Sequence, residues 1–364
     1  MRLSKTIAQL KRVRSAIPIA APQDGEDRLA DLTGFGANPG SLSARCYVPP
    51  DLEAGAPLVV VLHGCTQSAA AYDRGSGWSR LAERNGFALL FPEQQRANNP
   101  NLCFNWFEPG DTVRGKGEAA SIAAMIERMT KLHGIDPSRI FVTGLSAGGA
   151  MASVMLATYP EVFAGGAIIA GIAYGCASSV GEAFGCMGGR GHADAAALGD
   201  RVRAASRHKG PWPRVSVWQG SADHTVAPAN ADAVAAQWLD VHGLPGQPSR
   251  SETVEGYPRQ AWTGADGREV VEQYSITGLG HGTPIKPGDG EGRSGEAGPH
   301  MLRAAISSTD RIAAFWGIAE PVAGVRKPAR KAEAAERKPE PRKTAPSGVQ
   351  GVIEDALKAA GLMR

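Results

Sequence analysis

The chain is short of several things, and each shortage narrows what it can do. Only 6% of its 364 residues are aromatic. Its formal net charge is +3, too slight a bias to grip a polyanion, so nucleic acid is not an expected partner. The longest apolar runs fall far short of the ~20 residues that a membrane-spanning helix needs. A continuous apolar stretch is also missing behind the basic start. There Leu3, Ile7 and Leu10 recur at helical spacing, and 16–21 is short and broken by Pro18. Residues 1–27 therefore read as a basic amphipathic segment rather than a signal peptide, which points to the cytoplasm. Cysteines number five, so at least one has no partner. Cys176 and Cys186 could pair, as could Cys65 and Cys103, but spacing alone does not set redox state.

What is present is glycine, 46 residues, and 43% hydrophobic content, which suits a packed core joined by many tight turns. Positive charge gathers at one end. Residues 326–343 hold eight basic and three acidic side chains, so the rest of the chain is slightly acidic. The Pro/Lys/Arg/Glu/Ala composition of 319–348 predicts a disordered linker, and 349–364 an amphipathic helix that docks on the body or on a partner.

Between these ends, strand-like and helix-like patterns alternate. Two short strand-like runs lie within 28–50. Leu58-Val-Val-Val-Leu62 and 87–91 read as strands buried on both faces. Trp78, Leu81 and Ala82 mark a helix. Ile122, Met125, Ile126 and Met129 mark another, stopped by Gly134. Strands follow at 140–142, 165–172 and 215–218. A helix with Asn230 as N-cap comes next, then a last strand over 269–277 and a closing helix with Ile312, Phe315 and Trp316. The pattern predicts an α/β domain over 28–318: a mostly parallel, doubly wound sheet with an antiparallel N-terminal edge hairpin. Residues 173–213 interrupt it, as a cap over the site or as a long surface connection. Reactive groups in such sheets gather at the carboxyl ends of the strands.

One such end is distinctive. In Ile140-Phe-Val-Thr-Gly-Leu-Ser-Ala-Gly-Gly-Ala150 a strand turns sharply into a helix with Ser146 at the tip. Gly144 and Gly148 let strand and helix pass close by, and the helix N-terminus aims free N–H groups at any charge forming beside the hydroxyl. That is the arrangement of a nucleophilic serine. A serine hydroxyl needs a base and the base an orienting carboxylate, in the chain order Ser, acid, His. His281, inside Gly278-Leu-Gly-His-Gly-Thr283, is the candidate base, with His300 as runner-up. Asp223, a few residues past the 215–218 strand, is the candidate acid, whereas His224 beside it reads as wall or structure. Two backbone donors complete the site, Ala147 N–H after the serine and Cys65 N–H in the loop after the first parallel strand. His63 reads as a structural hydrogen-bonder. No metal or organic cofactor is called for.

Taken in order, Leu62-His-Gly-Cys-Thr-Gln67, Pro92-Glu-Gln94, Cys103-Phe-Asn-Trp-Phe107, Gly144-Leu-Ser-Ala-Gly-Gly-Ala-Met151, Gly220-Ser-Ala-Asp223 and Gly280-His-Gly282 resemble the polyhydroxybutyrate depolymerase-type esterases. These form a branch of the α/β-hydrolases with feruloyl and acetylxylan esterase relatives. The resemblance covers about 28–318 and implies the α/β-hydrolase fold with Ser146, Asp223 and His281 as nucleophile, acid and base. It also makes Trp106 and Gln67 candidate substrate contacts, although a core role suits Trp106 equally. Family habit and the cysteines favour export, against the cytoplasmic reading of the N-terminus. Secreted depolymerases of this type carry a signal peptide and a separate polymer-binding module, and neither is visible here. The expected activity is hydrolysis of a small or polymeric carboxylic ester through an acyl-enzyme. Rivals are a feruloyl or acetylxylan-type esterase, an acyltransferase on the same triad, and a binding or scaffold protein using the basic tail. The oligomeric state is not legible.

Overall fold

A computed structural model describes residues 27–191, 193–288 and 290–321. The expected N-terminal segment, linker and terminal helix lie, but for their innermost residues, outside these. Within them the expected edge hairpin is present. β1 (Ala30–Asp31) pairs antiparallel with β2 (Ser43–Tyr47), and β2 runs antiparallel to β4 (Ala88–Glu93). Then come the parallel strands β3 (Leu58–Leu62), β5 (Ile140–Leu145), β6 (Gly165–Ile169), β7 (Arg214–Gly220) and β10 (Glu269–Ile276). The order across the ten-stranded sheet is β1-β2-β4-β3-β5-β6-β7-β10-β9-β8. The last two, β8 (Arg250–Val254) and β9 (Tyr257–Thr263), form an antiparallel meander with β10 that the sequence reading did not foresee. A separate two-stranded piece pairs β11 (Thr283–Ile285) with β12 (Met301–Arg303).

β3 shows why both faces need cover. All five of its residues are buried. Leu58, Val60 and Leu62 join one core and Val59 and Val61 the other, as the two-residue period of a strand requires. Helices α3 (Gly117–His133), α4 (Ala147–Thr158), α6 (Ala195–Ala205) and α7 (Ala229–Val241) bury residues such as Met125, Met151, Leu198 and Trp238 in the first core. The second takes Trp78 and Leu81 of α2 (Trp78–Asn85) and Ile312 and Trp316 of α8 (Ser308–Trp316).

Ser68, Ser179, Asp194 and Ser307 cap the starts of four helices with their side chains, and two elements depart from expectation. α1 (Ala69–Ser76) was not expected. Ser68 caps it by accepting the Ala71 N–H at 3.2 Å, and Gly77 (φ 77°) separates it from α2. In α7 the residue before the helix is Pro228, not Asn230. Asn230 is the second residue of the helix and turns its Nδ2 to the carbonyls of Met187 and Ala227. The 173–213 stretch holds α5 (Val180–Met187) and α6. Since Leu198 and Val202 of α6 belong to the first core, this part is more than a surface connection. Among the described residues no helix is long and apolar enough to cross a membrane.

Candidate active site

The serine turn is shaped by what glycine leaves out. A Cβ on Gly144 would stand 2.4 Å from the Gly148 carbonyl group, and one on Gly148 would stand 2.2 Å from Leu62 O. Only glycine lets α4 start this close to β3 and β5. Ser146 itself takes φ 58° and ψ −117°, a strained conformation for a side-chain-bearing residue. Two main-chain bonds hold it there: its N–H donates to Ile169 O (2.9 Å), and its carbonyl accepts Ala150 N–H (2.8 Å). The hydroxyl thus stands at the carboxyl end of β5 over the N-terminus of α4.

The acid and the base come from neighbouring strand ends. Asp223 follows β7 and His281 follows β10, parallel strands paired up to Ile276 and Gly220. Their loops are laced together. Ser221 N–H donates to Ile276 O and Ala222 N–H to Leu279 O, both at 3.0 Å, and a Cβ on Gly220 would meet Leu279 O at 2.3 Å. His281 Nδ1 then lies 2.8 Å from Asp223 Oδ2, and its Nε2 lies 2.9 Å from Ser146 Oγ. The three side chains expected from sequence therefore meet.

Asp223 is fully buried and His281 12% exposed at their side chains. The Asp223 carboxylate is well supplied with donors: Thr225 N–H (2.8 Å) and Val226 N–H (2.9 Å) on Oδ1, and Gln219 Nε2 (3.0 Å) on Oδ2 beside the imidazole. Burial by itself would raise its pKa. The bond to His281, the charge of that ring, and the Val226 and Thr225 amides outweigh burial and hold the carboxyl below its ordinary range. An ionised Asp223 can only accept a hydrogen bond, so Nδ1 carries the ring hydrogen, which leaves Nε2 as the acceptor facing the serine.

The oxyanion donors expected at Cys65 and Ala147 lie where the two loops meet. Ala147 N–H is the first of α4, so it has no acceptor inside the helix. In the 63–67 loop, Gly64 N–H goes to Gln67 Oε1 (2.8 Å), Thr66 N–H to Asn101 O (2.7 Å) and Gln67 N–H to Gly64 O (3.3 Å). Cys65 N–H has no such acceptor among the described residues. Gln67, a candidate substrate contact, braces this loop: its Oε1 accepts Gly64 N–H and its Nε2 reaches Pro299 O at 3.5 Å. His63 is the structural hydrogen-bonder expected, its Nδ1 donating to Gly64 O (2.7 Å) and its Nε2 accepting Gln94 N–H (3.1 Å). Burial pushes its pKa down and keeps the ring neutral. His300, the alternative base, bonds the His281 carbonyl through Nδ1 at 3.2 Å, and its ring centroid lies 5.7 Å from that of His281. His224 is exposed.

Both cysteine pairs are disulfides, and Cys46 is free and buried. Cys65–Cys103 ties the 63–67 loop to the segment carrying Trp106. That ring is half-buried and packs against a small apolar cluster of Ala150, Ile172, Cys186 and Val226. These residues come from α4, the loop after β6, α5 and the Asp223 loop, so the cluster flanks the serine. Sequence reasoning missed the polar layer behind it, built on Gln94, Asn105 and Glu118. Its one visible signal was Glu118, a carboxylate in the first turn of an otherwise apolar helix face.

The chain is similar to known esterases along most of this fold. Residues 42–254 match the family model described as Esterase PHB depolymerase. Poly(3-hydroxyalkanoate) depolymerase C of Paucimonas lemoignei is 50% identical over 80% of this chain and 70% of its own length. An acetylxylan esterase of Coprinopsis cinerea is 33% identical over 72% of this chain and 71% of its own. Among solved structures, an acetyl xylan esterase from Aspergillus awamori aligns with a TM-score of 0.68 at 26% identity, covering 81% of this chain and all of that one. The chain belongs to the esterase PHB depolymerase family and is a carboxylic ester hydrolase, a serine esterase on the α/β-hydrolase fold.

Proposed function

We propose that Ser146, His281 and Asp223 act as nucleophile, base and acid in ester hydrolysis through an acyl-enzyme, with poly(3-hydroxyalkanoate)-type hydroxyacyl esters as the substrate class. The observation that carries this reading is the His281 ring bridging Ser146 Oγ at 2.9 Å and Asp223 Oδ2 at 2.8 Å. His281 Nε2 takes the hydroxyl proton as Oγ attacks the ester carbonyl. The negative oxygen that forms is met by the amides of Cys65 and Ala147. The imidazolium returns the proton to the leaving alcohol, and water attacks the acyl-enzyme with His281 again as base. Trp106 and its neighbours Ile172 and Val226 form an apolar wall for the acyl chain. The substrate class draws on the 50% identity to a depolymerase, and the two disulfides fit an oxidising compartment.

The test is turnover of p-nitrophenyl esters beside release of 3-hydroxybutyrate from polymer film, for the native chain and for Ser146→Ala. The variant should keep its fold and lose on the order of 10⁴–10⁶ in kcat on both substrates. A folded variant with normal turnover would end the assignment. Turnover of the small esters without attack on film would restrict the substrate to soluble esters.

A further inference from the structure

A carboxylate sits behind the serine site with no part in the chemistry above. Glu118, in the first turn of α3, is 0% exposed. Every group that reaches its oxygens is a donor. Oε1 accepts from Gln94 Nε2 (2.5 Å) and Asn98 Nδ2 (3.2 Å), and Oε2 accepts the backbone N–H of Asn105 (2.8 Å). Gln94 connects onward to the oxyanion loop through the bond from its N–H to His63, whose Nδ1 holds Gly64 O. Its Nε2 also reaches Cys103 O at 3.0 Å. Asn105 lies between Cys103, which is bonded to Cys65, and Trp106.

We propose that Glu118 is a positioning residue for the esterase site: its carboxylate draws the 94–106 segment onto α3 and so sets the Cys65 amide and the Trp106 ring around the substrate. This rests on the assignment of Cys65 as an oxyanion donor made above. A glutamine could not do the same work, because its NH₂ would face one of three donors and leave a bond unmade.

The site also makes this residue sensitive to pH. Burial is the largest influence and raises the pKa from 4.5 to about 8; the charge of Asp111 adds to it, and the donors from Asn105, Gln94 and Asn98 work against it. Asp111 is the charged neighbour on the preceding loop, accepting Glu118 N–H on Oδ1 and Asn105 Nδ2 on Oδ2. From the loop after β3, His63 is held neutral. From β4, Glu93 turns away and accepts Ala69 N–H. Protonation replaces one acceptor position with a donor, so the ionised form is the one that makes all three bonds. The sign for stability is opposite. The folded pKa lies above the unfolded one, so the contribution is full below about 4.5 and is lost as pH rises through about 8. Alkaline pH should therefore improve the site while loosening the fold.

The experiment is kcat and KM for p-nitrophenyl butyrate across pH 5–10, with thermal unfolding at each pH, for the native chain, Glu118→Gln and Gln94→Ala. The native kcat profile should show a rising limb near pH 8 besides the one that an imidazole base produces. Glu118→Gln should lose that limb and about 10- to 100-fold in kcat, while its melting point falls less than the native one between pH 7 and 9. Gln94→Ala, which removes one donor, should move the limb upward. If Glu118→Gln does not fold, a folded Gln94→Ala with native kcat, KM and pH profile overturns the proposal, because it removes the link from Glu118 to the 63–67 loop. So does a folded Glu118→Gln with native kcat, KM and limb. Ser146→Ala run alongside separates the two readings, since failure of the triad would show as turnover surviving in that variant.

Discussion

At the scale of single residues, Asp223 shows how an acid is kept ionised in a buried place. Its two oxygens receive two main-chain amides, the Gln219 side chain and His281 Nδ1. Because its folded pKa lies below the unfolded one, its contribution to stability is present above about pH 4 and is lost as pH falls through the lower folded value. Asp223→Asn should leave the fold intact and lower kcat by about 10⁴, because an amide can force the imidazole into the tautomer with Nε2–H facing the serine. Comparing kcat with the far-ultraviolet spectrum checks this, and a variant within tenfold of native would remove Asp223 from the assignment. These three side chains were legible in sequence because each follows a strand in the order Ser, acid, His, and because Ser146 and His281 lie among glycines. The bracing role of Gln67 and the place of Glu118 were not. Their work is done through partners 3 to 24 residues away in sequence, and up to 232 in the case of Pro299, and no local pattern records such pairings.

At the scale of elements, α4 and α5 use glycine for opposite reasons. In α4, Gly148 touches backbone that cannot retreat, Leu62 O at 2.2 Å and His63 O at 2.5 Å from an added Cβ. In α5, Gly181 and Gly185 have nothing within 4 Å and no positive φ. Gly148→Ala should therefore destabilise by about 1–3 kcal/mol or more and displace Ser146. Gly181→Ala and Gly185→Ala should each stabilise by about 0.4–1 kcal/mol, through the unfolded chain and helix propensity. Urea unfolding of the three variants decides it, and equal effects at 148 and 185 would contradict the packing argument. The central strands were readable because burial on both faces makes them continuous apolar runs. β8 and β9 were not, since Glu252, Arg259 and Pro258 make them look like a loop. The one clue was the Glu255-Gly256 turn, with φ 49° and 90°, which suits a two-residue hairpin between alternating residues.

At the scale of the whole molecule, the β8-β9-β10 side of the sheet adds a buried charge network to its apolar packing. Arg259 on β9 is 3% exposed and bonds Glu272 (2.8 Å) on β10, Glu252 (2.7 Å) on β8, and Glu269. Glu272 is as deeply buried and also accepts the Ser216 hydroxyl of β7 at 2.7 Å, which in turn accepts Trp218 Nε1. Burial pushes the Glu272 pKa up and the Arg259 charge opposes that shift. Removing one partner strands the other. Arg259→Met should cost about 3–5 kcal/mol, whereas Arg259→Met with Glu272→Leu should recover most of the loss, because two apolar side chains leave no buried charge unpaired. Urea unfolding measures the first effect and the double variant the second. Glu272 lies four residues before the end of β10, roughly 13 Å along the strand from where the His281 loop begins. Catalysis by the folded fraction should then stay within about twofold of native in both variants, because the loops that carry Asp223 and His281 are laced by their own bonds, Ser221 to Ile276 and Ala222 to Leu279. A double variant as unstable as the single one would mean that the ion network sets the register of the meander, and a fall in kcat alongside it would mean that the meander places His281.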